Sequence, residues 1–543
     1  MRRLKLLVGV CIVLGLNLGA VGMAEEKPTG LGSLFDRLTG TEKESKTEEG
    51  NGGSVFGDLL NRAKTLSEET YERSKQGLTD LMDSSSEANA KMEGMLSFLD
   101  EKLAGREPSF SEAEIQAHAE KLVPLVEELN QRQFNSPPKV KSVGNFQMIQ
   151  IMARDLAPQF ERQLPETPQP LIYLRAYLSA GLIAPSLLGK YGVEDHTVYL
   201  LPQNVSAVME MAEIDPELEE QILQIVIGHE LTHGLQDQEI GLSRTLESVG
   251  SPDGMQAFNS TIEGHAVLMQ NALAERLGYQ EAATAASTLL MAPEMENDEW
   301  LYDRVAMASA VQWEQTYLGG ERFMEHHLEE GGMEKVWEIL ATPPDRTSMI
   351  IRPETYTTKP APLPDLQHRF AFAPAAAGLD SWNYIASPMG DFDVLSHLAT
   401  VPRAQREAIM VGLREDVVVR LNHPSSLSSS ISLVLFEFAS EVGAKQMVEA
   451  MEELNRQDLA GLEAGLLVDL KSQSNRDYAA DSGIAGSALR YQTESLLLGE
   501  TTTTVIQCQD GRVAAQLVYE GVDLTKTQID QLIGQCVSEL AGE

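Results

Sequence analysis

The stretch Gln221–Gln238, QILQIVIGHELTHGLQDQ, constrains this chain more than any other, because His229, Glu230 and His233 stand in it in the order H-E-x-x-H. Residues four apart on an α-helix lie one turn apart on the same side, so the two imidazoles converge on one point. That point suits one zinc ion. Glu230, beside the pair, can reach a water at an open position of such an ion and take its proton as a general base.

The flanking residues predict the helix that this geometry needs. Asp215 is a candidate N-cap, Pro216 suits the first helical position, and Glu217, Glu219 and Glu220 complement the positive end of the helix dipole. Ile222, Leu223, Ile225, Val226, Leu231 and Leu235 then spread around most of the circumference, the pattern of a helix buried within a domain.

Zinc in a hydrolytic site takes a third protein ligand and keeps one position open. Ser260–Ala266, STIEGHA, opens a second apolar segment running to about Leu277 and offers Glu263. Gly264, next to it, is small enough to let two helices approach closely. Glu263 is therefore the expected third ligand, with His265 and Glu247 as competitors.

HELTHGLQDQ with EGHA downstream resembles the gluzincin class of zinc metallopeptidases, and more closely an exported bacterial family with HExxHxLQDQ followed by EGxA. Later stretches agree with the closer family: Tyr317-x-x-Gly320-x-x-Phe323, Gly331-Gly332, and PPDRTSMIIRPETY over residues 343–356. The resemblance covers roughly residues 135–455. By position it implies zinc at His229, His233 and Glu263, Glu230 as base, and a mainly helical zincin-like domain. In gluzincins an edge strand before the metal-binding helix holds extended peptide, and Thr197–Leu201 occupies that place. Two positions depart from the pattern. Val267 stands where gluzincins often carry an aspartate that orients a ligand histidine, which makes Asp237 a candidate substitute. Arg352 stands where a histidine is expected, and its guanidinium could stabilise an oxyanion. Tyr317 and Tyr356 are candidate hydroxyl donors to that oxyanion, against the plainer reading of packed aromatics. His326 and His327, in a charged stretch, read as surface residues.

The chain opens with Met-Arg-Arg-Leu-Lys, an apolar run from Leu6 to about Val21, and small residues around Gly22 and Ala24. Residues 1–24 therefore read as a secretory signal, the alternative being an uncleaved anchor for which the run is short. Cys11 lies inside that run and is not a lipidation site. The net charge is −39, and losing Arg2, Arg3 and Lys5 with no acid makes the remainder more acidic still. Such a chain repels nucleic acid and anionic lipid. The expectation is a periplasmic or extracellular protein acting on peptide or protein, without nucleic acid and without a membrane span once the signal is removed.

Length and composition divide the rest. Residues 25–53, including TGTEKESKTEEGNGG, have too little apolar content for a core and read as an acidic linker. Residues 54–105 read as an exposed helical segment, either a spacer or a hairpin for a protein partner. Residues 106–365 form the expected catalytic domain, entered by an amphipathic helix over Ser111–Phe134. Pro360–Pro364 and the Ala/Pro-rich run 371–377 read as a linker. Residues 378–543 form a small α+β domain of ferredoxin-like type, with strands over Asp416–Leu421 and Ile431–Phe438, an Asp510-Gly511 hairpin and a closing helix over Thr525–Leu540. Cys508 shares a strand face with Ile506, and Cys536 continues the stripe Ile529, Leu532, Ile533. They are either a disulfide pair or two separate buried thiols.

The chain shows no phosphate-cradling glycine loop and no G-x-S-x-G elbow. The reading is an α+β exported zinc metallopeptidase with one Zn2+. The alternative is a non-catalytic cell-envelope binding or structural protein that retains the zincin scaffold.

Overall fold

The computed structural model describes residues 109–163, 187–247, 251–290, 301–358, 365–423, 429–463, 468–479, 484–495 and 499–542, with Val249 and isolated positions between 172 and 184. Within them the chain is a mixed α+β protein. The expected signal, acidic linker and exposed helical segment lie outside the described residues. Among the described residues no helix is long and apolar enough to cross a membrane.

Helix α1, Glu112–Asn130, starts at a reciprocal cap in which Glu114 N–H donates to Ser111 Oγ and Ser111 N–H donates to the Glu114 carboxylate. It stops short of the expected Phe134. Gln131 turns left-handed at φ 52°, and the Phe134 N–H donates instead to the Glu127 carboxylate. The freed Asn130 carbonyl accepts from Trp337 Nε1 at 2.9 Å, so a tertiary contact secures the end of the helix.

Three short strands follow: β1 (Lys139–Ser142), β2 (Gly189–Gly192) and β3 (Thr197–Leu200). Their order is β1-β3-β2, with β1 parallel and β2 antiparallel to β3. This corrects the edge assigned to Thr197–Leu201. All four residues of β3 are buried because the strand is flanked on both sides, and the antiparallel edge is β2. Helix α2, Asn145–Gln163, lies between β1 and β2 in the chain and packs Met148, Met152 and Ala153 with Tyr199 and Leu201.

The helical core is built on α3 (Glu219–Ile240), α4 (Pro252–Leu277), α5 (Leu301–Glu314) and α6 (Gly320–Ala341). A π-helical turn, Gln315–Gly319, joins α5 to α6. Glycines set two close approaches. A β-carbon at Gly228 of α3 would lie 2.2 Å from Leu273 Cδ2 of α4, and one at Gly264 would lie 2.0 Å from the Gly320 carbonyl carbon. The close helix contact expected at Gly264 is therefore made, and its partner is the start of α6.

The C-terminal region is a seven-stranded, wholly antiparallel sheet in the order β4-β5-β6-β10-β9-β8-β7. Its strands are β4 (Asn383–Ser387), β5 (Leu413–Asn422), β6 (Ser430–Phe438), β7 (Val468–Ala479), β8 (Ala485–Ser495), β9 (Gly499–Asp510) and β10 (Val513–Glu520). The strand number and order replace the expected ferredoxin-like arrangement. The sequence pattern found β5 and β6, further strands over Leu489–Leu498 and Thr501–Cys508 that correspond to β8 and β9, and the Asp510-Gly511 hairpin leading into β10. It did not find β4 or β7, and the exposed Lys471–Asp477 stretch of β7 carries no apolar period. Helix α7 (Glu441–Glu463) covers one face, beside Val434 and Phe436. Helix α8 (Lys526–Ala541) covers the other, beside Leu433 and Leu435, and starts at the Thr525 cap.

The run 371–377 is core and not linker. Phe370, Ala373, Ala376 and Ala377 pack under α8 against the sheet, because small residues let two one-turn helices, Leu366–Arg369 and Ala373–Ala376, sit flat on it. Pro360–Pro364 lies outside the described residues. Met307 and Val311 of α5 join the cluster of Val394, Leu395 and Phe436, so the helical part and the sheet share apolar contacts. Cys508 and Cys536 are separate buried thiols, and burial pushes the Cys508 thiol up to about 12.

Candidate metal centre

Helix α3 is held as its sequence predicts. The Asp215 carboxylate accepts from Glu217 N–H at 2.9 Å, Pro216 opens a single 3-10 turn, and α3 runs on to a left-handed Gly241. Its middle is buried on every side, from Ile222 through Gln236 apart from Gln224. Such a helix projects polar side chains into the interior only where a partner awaits them.

His229, His233 and Glu263 find those partners in one another. His229 Nε2 lies 3.1 Å from His233 Nε2 and 3.2 Å from Glu263 Oε2, and His233 Nε2 lies 3.4 Å from the same oxygen. Ligands about 2.0–2.1 Å from zinc define tetrahedral edges of about 3.3–3.4 Å. The three donors match one face of that tetrahedron, so the residues present fit the ion. The donor set, two imidazoles and a carboxylate, is also the one that borderline zinc accepts in hydrolytic sites.

Charge holds the triangle together. Burial alone would raise the Glu263 carboxyl, but His233 and His229 outweigh it and hold that group well below the usual carboxylate range. Burial opposes a charge on His233, yet Glu263 and Glu230 push it up to about 9. Glu230 itself is 7% exposed, and burial raises its pKa against the pull of the two histidines. Gly189 of the edge strand covers it: a β-carbon there would lie 2.9 Å from Glu230 Cγ, so only glycine lets the strand backbone lie against this side chain.

Tyr317 stands in the π-helical turn, close enough to Glu263 for that carboxylate to act on its phenol, with its ring 6.3 Å from that of His229. Ser260 anchors the turn by directing its hydroxyl to the carbonyls of Gln315 and Thr316, each at 3.1 Å. Burial, with Glu263 and Glu230, pushes the Tyr317 phenol well above its usual range, so it stays a hydrogen-bond donor. π-turns of this kind recur at functional sites.

Other expected participants are elsewhere. Tyr356 donates to the Thr342 carbonyl and packs on Phe323 and His327. Arg352 is paired with Asp391 at 2.9 Å. Glu247 ends a short helix, Leu242–Glu247, and its side chain is outside the described residues. His265 is fully buried, and burial drives its pKa down to about 3. His327 is buried rather than on the surface. Its ring fits between Phe323 and Tyr356 while Nδ1 meets the Glu330 carboxylate at 3.0 Å, and only His326 is exposed. His326, His327 and Glu330 form the second His/Glu group among the described residues that could hold a metal ion.

Asp237 does not orient His233. Its Oδ2 takes Tyr191 and His196, both at 3.0 Å, and Oδ1 accepts the Leu242 N–H. The partner of His233 Nδ1 is Gln236 Oε1 at 2.8 Å. Sequence reasoning passed over Gln236, although its place three residues after His233 put it on the same side of the helix. His229 Nδ1 is buried with no hydrogen-bond partner among the described residues, which agrees with Val267 standing where an aspartate was expected.

Neither a protein-family model nor a curated protein sequence matches this chain. A crystal structure from Chloroflexus aurantiacus, described as "a putative hydrolase with a novel fold", is similar at a TM-score of 0.35 and 17% identity. The likeness spans 48% of this chain and 93% of that one, and it is too slight to define the fold.

Proposed function

We propose that the protein is an exported zinc metallopeptidase of gluzincin type that hydrolyses peptide bonds. The observation that carries this reading is the closed donor triangle of His229, His233 and Glu263 with Glu230 directly beside it. The histidines would hold the ion through Nε2 and Glu263 through Oε2. Zinc, when bound there, supplies a Lewis acid that polarises a carbonyl and acidifies water.

The chain's own groups do the rest. Glu230 accepts a proton from the attacking water and returns it to the leaving amine, and its raised pKa lets it keep that proton between the two steps. Tyr317 remains a protonated donor beside Glu263, suited to the charge that develops on the carbonyl oxygen. The edge strand β2 offers backbone groups on the side away from β3, and Gly189 brings that backbone against Glu230. An extended peptide added to that edge would pass the base and be read mainly through its main chain.

The test combines metal analysis of the purified protein with cleavage of an unbiased peptide library, with and without a chelator. Zinc at one equivalent and chelator-sensitive cleavage are expected. The rival, a non-catalytic envelope protein keeping the zinc scaffold, draws on the unpartnered His229 Nδ1. It predicts bound zinc and an intact library.

A further inference from the structure

The two ligand histidines are not held alike, and the difference traces to one amide. Gln236 is fully buried, and the oxygen and nitrogen of such an amide are told apart by their partners. One partner is the backbone carbonyl of Ile262, 2.9 Å from Gln236 Nε2. A carbonyl only accepts, so the NH2 end must face it. Its second hydrogen points to His265 Nδ1, also at 2.9 Å. The remaining atom, Oε1, has no hydrogen to give and faces His233 Nδ1 at 2.8 Å. Nδ1 must therefore carry a proton.

We propose that Gln236 is a positioning residue, set by the Ile262 carbonyl, that commits His233 to keep its proton on Nδ1 and to leave the Nε2 lone pair for an ion at the point enclosed with His229 and Glu263. Whenever His233 holds one proton, that proton is on the side away from the donor triangle. The reversed tautomer would aim an N–H into the triangle and set two acceptors, Nδ1 and Oε1, against each other in the interior. Ile262 immediately precedes Glu263, so the packing of α4 on α3 delivers the third ligand and fixes the tautomer of the second in one step. His265 then follows as neutral and protonated at Nε2, with its ring edge-on to Trp337 at 5.2 Å. It is the outer end of the relay and not a ligand.

The proposal rests on the metallopeptidase reading only for its ligand set, and its readouts are metal binding and proton position rather than turnover. In the full chain loaded with zinc and carrying 15N-labelled histidine, His233 should show a slowly exchanging, hydrogen-bonded Nδ1–H. Gln236→Met keeps the length of the side chain and removes its hydrogen bonds. It should weaken zinc binding about 10- to 100-fold in competition with a chromophoric chelator, the usual cost of losing a group that orients a metal-bound histidine. His265→Ala leaves the Ile262 contact in place and should keep zinc affinity within about threefold, whereas a purely packing role for Gln236 would be disturbed by both changes. A native affinity in Gln236→Met, or His233 bound through Nδ1 with its proton on Nε2, overturns the proposal. The spectrum of the unsubstituted protein decides it even if the methionine variant does not fold. A native protein that takes up no zinc removes the metallopeptidase reading itself, a result distinct from zinc bound with the wrong tautomer.

Discussion

Helix α4 carries a carboxylate into each of two buried polar centres, and the two centres treat that charge in opposite ways. Glu263 enters the donor triangle, where two imidazoles hold it ionised. Asp253, in the first turn of the same helix, enters a junction with Asp391, Asp393 and Asp416, where burial pushes each acid upward and Asp253 adds to the rise of the other three. Asp253 accepts from Thr347 N–H at 3.1 Å and from its hydroxyl, Asp416 accepts from the N–H groups of Met389 and Gly390, and Gln256 donates to Asp393 at 2.8 Å. Gly390, at φ 92°, lies so close to Asp253 that a β-carbon would meet its carboxylate at 2.3 Å. A carboxylate kept charged by neutralisable partners is available to a cation. Carboxylates crowded together and fed by backbone donors are clamps, here joining α4 and the Thr347–Ile351 helix to the sheet.

That contrast is tested first where the expected effect is largest. Glu230→Gln keeps the shape of the side chain and should lower turnover about 100- to 10,000-fold, the usual range for a general base, while zinc content stays at one equivalent. His233→Ala should lose both zinc and turnover. Peptide hydrolysis surviving in zinc-bearing Glu230→Gln would remove the assigned base and leave the triangle no more catalytic than the clamp. Next comes Tyr317→Phe, which should reduce kcat about 100-fold with little change in KM if the phenol serves the transition state. An unchanged kcat would return Tyr317 to the packed aromatics.

Arg352→Met probes the other centre. It strips Asp391 of the partner at 2.9 Å and leaves a buried carboxylate unmatched. Because the arginine side chain is 32% exposed, the cost should be about 2 kcal/mol, below the range for fully buried pairs. Chemical denaturation measures it, and zinc affinity should stay within about twofold of native if the two centres are independent. A matching fall in zinc affinity would mean that α4 transmits the loss to Glu263.

Which parts of this picture the sequence disclosed follows from the range of the interactions involved. Histidine spacing, the Asp215-Pro216 start and the apolar girdle of α3 are local, and they located three of the four residues of the centre on one helix. Gly264 flagged a close helix approach from composition alone, but not that Gly320 would be the partner. Gln236, Tyr317 and Gly189 gain their roles from contacts across the fold, from the Ile262 carbonyl, the Glu263 carboxylate and the Glu230 side chain respectively. The quoted motifs contain Gln236 and Tyr317, and Tyr317 was already a candidate donor, but no period or motif names the partners that give these residues their roles. The aspartate junction was invisible for the same reason, its members being spread from residue 253 to 416. The apparent linker at 371–377 misled because small residues signal a loop in isolation and a flat contact in a core.

The smallest effect bears most directly on how the junction keeps its charge. Burial, with Asp391 and Asp253 adding to it and the Gly390 and Met389 N–H groups opposing, lifts Asp416 to about 7. An unfolded aspartate titrates near 3.9, so between about pH 4 and 7 the folded chain binds the proton that the unfolded chain has released. The contribution of Asp416 to stability is therefore fully present below the lower value and is lost as pH rises through the upper one. Asp416→Asn cannot titrate, yet its amide oxygen can accept the same two N–H groups, and its NH2 can face the neighbouring carboxylates. Melting temperature should then vary less steeply between about pH 4 and 7, with a gain of about 1 kcal/mol at pH 8, where native Asp416 is charged. A pH slope identical to that of the native protein would show that the shared proton of the junction belongs to another acid. Asp393, lifted to about 6 mainly by burial, would be the next to replace.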